Sequence, residues 1–159
     1  MKKTTIIHLG PVVEYTGLSK NITTQEYNRF ILSVQNLQLK NELGKELVEE
    51  LVSQVCENTV TESNELLILE IEPFLSFSSY AKYCGSSEIK PTRSGNKKTT
   101  GDNTTSPNKQ DIGKLVDFNQ READQYLCQL IEFMEDNLNT YPLYVSRQKE
   151  TSERRTIFT

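Results

Sequence analysis

Leu66-Leu67-Ile68-Leu69-Glu70-Ile71-Glu72-Pro73, running on into Phe74-Leu75-Ser76-Phe77-Ser78-Ser79-Tyr80-Ala81-Lys82-Tyr83, is the stretch on which the fold class turns. Its first part is a short apolar run that passes into alternation and stops at a proline, which reads as a β-strand. A buried helical segment is the alternative, because a run this short does not separate the two. The second part carries Phe74, Leu75, Phe77, Tyr80 and Tyr83, whose three-residue spacings fit a short helix equally well. Thr5–Val13 and Tyr141–Val145 are weaker extended candidates.

On either side lie two helical signals. Thr23-Thr24-Gln25-Glu26 matches a capping box, with Ile22 and Tyr27 at the flanking staple positions. Tyr27, Phe30, Ile31, Val34 and Leu37 then recur on one face of a 3.6-residue period. A second stripe follows at Leu43, Leu47, Val48, Leu51, Val52 and Val55. Asn41 and Gly44 fall between them, so either one long helix bends there or two helices meet. The outer face, with Glu42, Glu46, Glu49 and Glu50, is acidic. Downstream, Asn119-Gln120-Arg121-Glu122 repeats the capping pattern with Asn at the cap. Ala123, Tyr126, Leu127, Leu130, Ile131, Met134 and Leu138 continue from it as an amphipathic face. Upstream, Ser106-Pro107 can start an extra turn leading through Ile112, Leu115 and Val116.

Between the stripes and that helix lies Ser86 to Asp111, 26 residues with Ile89 as the one apolar side chain. Such a segment cannot offset its ordering entropy by burial and reads as a disordered basic linker or loop. The 159 residues therefore divide into 1–85 (strand, long helix, apolar strand), the linker 86–111, a second helix in 112–146 that completes the same domain, and a basic tail, 147–159. The fold class expected is α+β, predominantly helical: two long amphipathic helices, a small sheet of two to four short strands, and a long disordered internal loop. Residues 1–85 hold 7 basic and 11 acidic side chains, and residues 112–146 hold 2 and 6. The folded parts are thus acidic and repel phosphate backbones, whereas the linker and the tail are mildly basic.

Little in the chain announces chemistry. His8, the single histidine, precedes Gly10-Pro11 with no nucleophile or carboxylate marked as its companion. Cys56, Cys84 and Cys128 are widely spaced and odd in number, which reads as reduced thiols of an intracellular, cytoplasmic protein rather than disulfides or a zinc site. Phosphate-cradling glycine motifs, nucleophile elbows and paired-histidine metal motifs do not occur. Glu70 and Glu72 would share one face of a strand, and a solvent-facing role is the plainer reading. No catalytic residue, metal or cofactor is expected, and the chain reads as non-enzymatic. The apolar stretch after Lys2 and Lys3 is broken at His8, Gly10 and Pro11, so no signal segment is read. No apolar run approaches a membrane span.

The stripes carry the functional expectation. From Tyr27 to Val55 is 29 residues, roughly 43 Å if helical, against about 24 Å for Ala123–Leu138. The second helix cannot roof the first, and uncovered apolar surface marks an interaction site. The chain is therefore expected to be a protein–protein interaction subunit or regulator, an adaptor or inhibitor. Phe30, Val34, Leu37, Leu47, Leu51, Tyr80 and Tyr83 are its candidate contacts, and its partner is another protein or a second copy of itself. The alternative is an accessory small subunit of a nucleic-acid complex. Ile22 to Phe30 resembles the way small helical subunits of type III CRISPR ribonucleoprotein complexes begin a helix. The likeness spans nine residues, rests mostly on the capping box, and departs from the family in the acidic charge of the face that follows. In this alternative the two basic segments, by their charge alone, would touch phosphates through Arg93, Lys97, Lys98, Arg154 and Arg155.

Overall fold

The computed structural model describes residues 4–86, 89–92, 95–98 and 109–145. Among the described residues six α-helices carry the fold: α1 (Leu9–Thr16), α2 (Thr24–Val34), α3 (Lys40–Leu43), α4 (Lys45–Glu57), α5 (Glu62–Ser86) and α6 (Lys109–Asp136). A single π-helical segment, Gln35–Leu39, joins α2 to α3 without a break.

The decisive stretch is helical throughout, which overturns the expected sheet. Residues 66–71 lie inside the 25-residue α5, and the helix continues through Pro73 to Ser86. From Ile71 to Ser79 every residue except Glu72 is buried. Within residues 66–71 the outward face itself carries leucines, Leu66 and Leu69, so no polar stripe marks a 3.6-residue period and the short apolar run passes for a strand. Thr5–Val13 is no strand either: Leu9 onward forms α1, with Pro11 in the first turn, where its missing N–H costs nothing. Tyr141–Val145 is a chain of turns. Among the described residues the only paired strands, Ile89–Thr92 and Gly95–Lys98, form a short antiparallel hairpin drawn from none of the expected segments. The rest of the segment expected as a disordered linker, apart from its ends within α5 and α6, lies outside the described residues, as does the tail after Val145.

α5 is the axis of the molecule: α1, α2 and α6 all pack against it. Leu67, Ile71, Phe74 and Leu75 are buried in that packing, each worth about 1.5–3 kcal/mol relative to exposure. Serines on α5 meet the polar side of α2 and of the π segment. Ser78 donates to Gln38 Oε1 at 2.8 Å, and Lys82 Nζ donates to Ser33 Oγ at 3.0 Å. Ser79 Oγ lies 3.1 Å from the buried Tyr27 hydroxyl.

This arrangement also removes the shortfall inferred from helix lengths. Tyr27, Ile31, Val34, Leu39, Leu43, Leu47, Val48 and Leu51 are all buried within one protomer, in a single core that they share with Leu67, Ile71, Phe74 and Leu75 of α5. The long rod is not continuous. At Gly44 the backbone turns at φ 93°, ψ 147°, and two helices meet there.

Of the two caps expected, one forms. Thr23 does cap α2, its hydroxyl accepting the Glu26 amide at 3.4 Å and donating to the Glu26 carboxylate at 3.1 Å. Asn119 is no cap. It is buried in the interior of the 28-residue α6, its side-chain amide donating to Leu115 O at 2.7 Å. Thr61 supplies a cap the motif search passed over, its hydroxyl accepting the Asn64 amide at 3.3 Å as α5 begins. Asn64, nearly buried, then donates to Glu50 Oε1 and Gln54 Oε1 at 3.1 and 2.8 Å, tying the end of α4 to the start of α5.

Candidate docking surfaces

The residues proposed as partner contacts scatter once the chain is folded. Val34, Leu47 and Leu51 are core residues, at most 2% exposed. They serve the inside of the protomer, a correction that follows from the one core they share with α5 and the rest of the chain. Leu37 is 61% exposed, and the π segment is the reason. One extra residue in that turn puts Gln35 and Leu39 inside and swings Leu37 out, breaking the three- and four-residue spacing that had placed it on the stripe.

Phe30, Tyr80 and Tyr83 are half-buried and meet Tyr27 in an aromatic cluster. Phe30 and Tyr83 are edge-to-face at 5.5 Å, Tyr80 and Tyr83 stack at 6.2 Å, and the Arg29 guanidinium covers the Phe30 ring at 4.7 Å. Burial pushes the Tyr80 hydroxyl up to about 12. Cys84, beside it, is buried and its thiol is likewise raised by burial, whereas Cys56 and Cys128 are exposed; none of the three is joined in a disulfide. Of the proposed phosphate contacts, Lys97 and Lys98 lie on the second hairpin strand and Arg93, Arg154 and Arg155 lie elsewhere; these side chains are outside the described residues.

Two hollows flank the N-terminal segment. Gln35, buried in the π segment, accepts the Ile6 amide at 2.9 Å and donates to the Thr4 carbonyl at 3.3 Å, holding residues 4–8 as a strap over the helices. On one side of the strap is a hollow of about 580 Å³ with Thr4, Leu32, Gln35, Val52 and Cys56 among its walls. The Lys40–Glu49 ion pair, 3.1 Å, sits at its edge. On the other side, Ile6, Ile7 and His8 meet the end of α4 and the first turns of α5 around a groove of about 450 Å³. Val55, Val60, Ile68 and Leu69 line it, with Asn58, Glu65 and Glu72 as polar neighbours. The Glu72 carboxyl is pushed up by burial and by the nearby charge of Glu14, and His8 partly offsets this.

The sequence reading missed the exposed apolar pairs. Leu66 and Leu69, one turn apart on α5, are 56% and 58% exposed, beside the groove. Leu115 and Phe118, one turn apart on α6, are 42% and 57% exposed. The signal for the second pair is in the sequence: Leu115 falls in the extra turn that Ser106-Pro107 can start, and Phe118 stands three residues on. For the first pair it was hidden by the strand reading, which puts 66 and 69 on opposite faces whereas a helix puts them on one.

Among the described residues, no three of histidine, cysteine, aspartate and glutamate gather as a metal-holding group. Among them, too, no helix is long and apolar enough to cross a membrane. The model of a family of unknown function, DUF6712, matches residues 39–154, most of the chain, from the π segment onward. No curated protein matches, and no solved structure does. The chain belongs to the DUF6712 family.

Proposed function

We propose that this member of the DUF6712 family is a non-enzymatic subunit or regulator acting by protein–protein contact. The contacts are apolar side chains that its own core leaves outside, set in an acidic surface. The observation that carries the reading is the pairing of exposed apolar residues on the two longest helices, Leu66 with Leu69 and Leu115 with Phe118. A lone exposed leucine is ordinary on any surface. Two one-turn pairs, one beside a groove, are the kind of patch that a partner covers. The reading includes a cytoplasmic site of action, supported by three cysteines of which none forms a disulfide.

Photo-crosslinking tests it. A photoreactive residue is placed at Leu69, at Phe118 and, as a control, at the exposed polar Gln125, and adducts are collected from the cells that make the protein. Discrete protein adducts from position 69 or 118, absent from 125, are expected. The same pattern from all three positions overturns the proposal. Adducts to nucleic acid in place of protein would overturn it in favour of the ribonucleoprotein alternative.

A further inference from the structure

We infer that the groove between residues 6–8, the end of α4 and the start of α5 receives a cationic, apolar segment of a partner protein. Its aliphatic side chains would lie against Val60, Ile68 and Leu69, and its lysine or arginine against Glu65 and Glu72. The inference rests on the interaction reading above and names the chemistry of the partner.

Three features of the groove point to that occupant. Its volume, about 450 Å³, suits a few side chains of an inserted segment. Its floor is aliphatic, and Leu69 extends it outward at 58% exposure, with Leu66 one turn away. Its rim is charged with one sign: Glu65 and Glu72 line it, and Glu62 and Glu70 stand on the same turns of α5. His8 is the one lining residue able to carry positive charge. The carboxylate of Glu72 is already disfavoured by burial and by Glu14, so an incoming cation relieves a repulsion built into the site.

The same charge disfavours other occupants. A second copy docking face to face through a two-fold axis would bring these glutamates against their own counterparts. Anionic membranes and nucleic acids meet the same repulsion.

The test uses the full chain and two synthetic amphipathic helices of equal length, one of leucine and lysine and one of leucine and glutamate. Methyl NMR reads where each lands. The lysine peptide is expected to shift the methyls of Val60, Ile68 and Leu69 and to bind at least about tenfold more tightly than the glutamate peptide. Leu69→Ser, and Glu65→Gln combined with Glu72→Gln, should each weaken it by about tenfold or more. Leu69 and Glu65 are exposed, so the variants keep the core, and their melting curves verify this. Equal binding of both peptides, no binding, or a groove that stays silent overturns the assignment. If the methyls of Leu115 respond while the groove is silent, the groove assignment falls and the interaction reading stands. Crosslinks absent from both position 69 and position 118 would bring down the interaction reading itself.

Discussion

Gln35 grips the backbone of Ile6 as a neighbouring strand would, its side-chain oxygen accepting the Ile6 amide at 2.9 Å while its nitrogen donates to Thr4 O at 3.3 Å. Both Gln35 and Ile6 are buried, so neither group has water to fall back on. Gln35→Leu keeps the volume and removes both partners, leaving the Ile6 amide orphaned at a cost of about 1–3 kcal/mol. The expected result is a lower denaturation midpoint, together with amide exchange at Ile6 accelerated beyond that of the α5 core. Unchanged protection at Ile6 would refute the strap.

Gly44 holds α3 and α4 at their meeting point with φ 93° and ψ 147°, a conformation open to little but glycine. A Cβ there would also lie 3.6 Å from the Leu143 carbonyl, an ordinary contact. Backbone strain, not collision, therefore sets the penalty. Gly44→Ala should destabilise by about 1–3 kcal/mol, read from urea unfolding. Gly10→Ala is the control: nothing lies near a Cβ at Gly10, and inside α1 alanine is favoured over glycine.

How far the sequence disclosed this fold depends on which signals are local. Thr23 and Glu26 announce the start of α2, and that cap forms because it needs only four consecutive residues. The faces of α4 and α6 are readable because each helix has a wet side. The start of α5 reads as a strand because its outward positions include Leu66 and Leu69 and so leave no polar stripe, and Pro73 reads as an end although the helix passes through it. The expectation that Val34, Leu47 and Leu51 were free to dock rested on counting only two long helices, and a core that also holds a 25-residue α5 encloses them. Leu37 turned outward for a different reason, a π turn that adds a residue to the repeat and has no composition signature. Groove and exposed pairs depend on tertiary placement, so Leu69 as a surface residue was beyond a reading that had it in a strand.

Glu72 gives a pH dependence with a definite sign. Its folded carboxyl is raised above the ordinary range, by burial first and Glu14 second. A carboxyl that holds its proton more tightly when folded favours the folded chain in acid, and that contribution is lost as pH rises through its folded value. At neutral pH the charged form is therefore a net liability. Glu72→Gln should raise the melting temperature at neutral pH, and the gain should shrink to nothing below the carboxylate range. A variant that is less stable than the parent at pH 7 would show that the carboxylate has a favourable partner there.

Tyr27 governs the alkaline limb. Ser79 Oγ donates to Ser76 O at 3.2 Å, so the bond between Ser79 and Tyr27 has the tyrosine hydroxyl as donor. Burial drives the Tyr27 phenol far above its ordinary value, and Tyr80 and Tyr144 are pushed up to about 12. Phenols that keep their protons longer in the folded chain contribute fully below the unfolded tyrosine range, and that stability drains away as pH climbs through and beyond it. Tyr27→Phe removes one hydrogen bond, costing about 1 kcal/mol near neutrality, and also removes one of the alkaline losses. Denaturant midpoints for parent and variant should thus lie apart at neutral pH and converge toward about pH 11, above the free tyrosine range. Parallel curves across that interval would mean that Tyr27 ionises as freely folded as unfolded, contradicting its enclosure between α2 and α5.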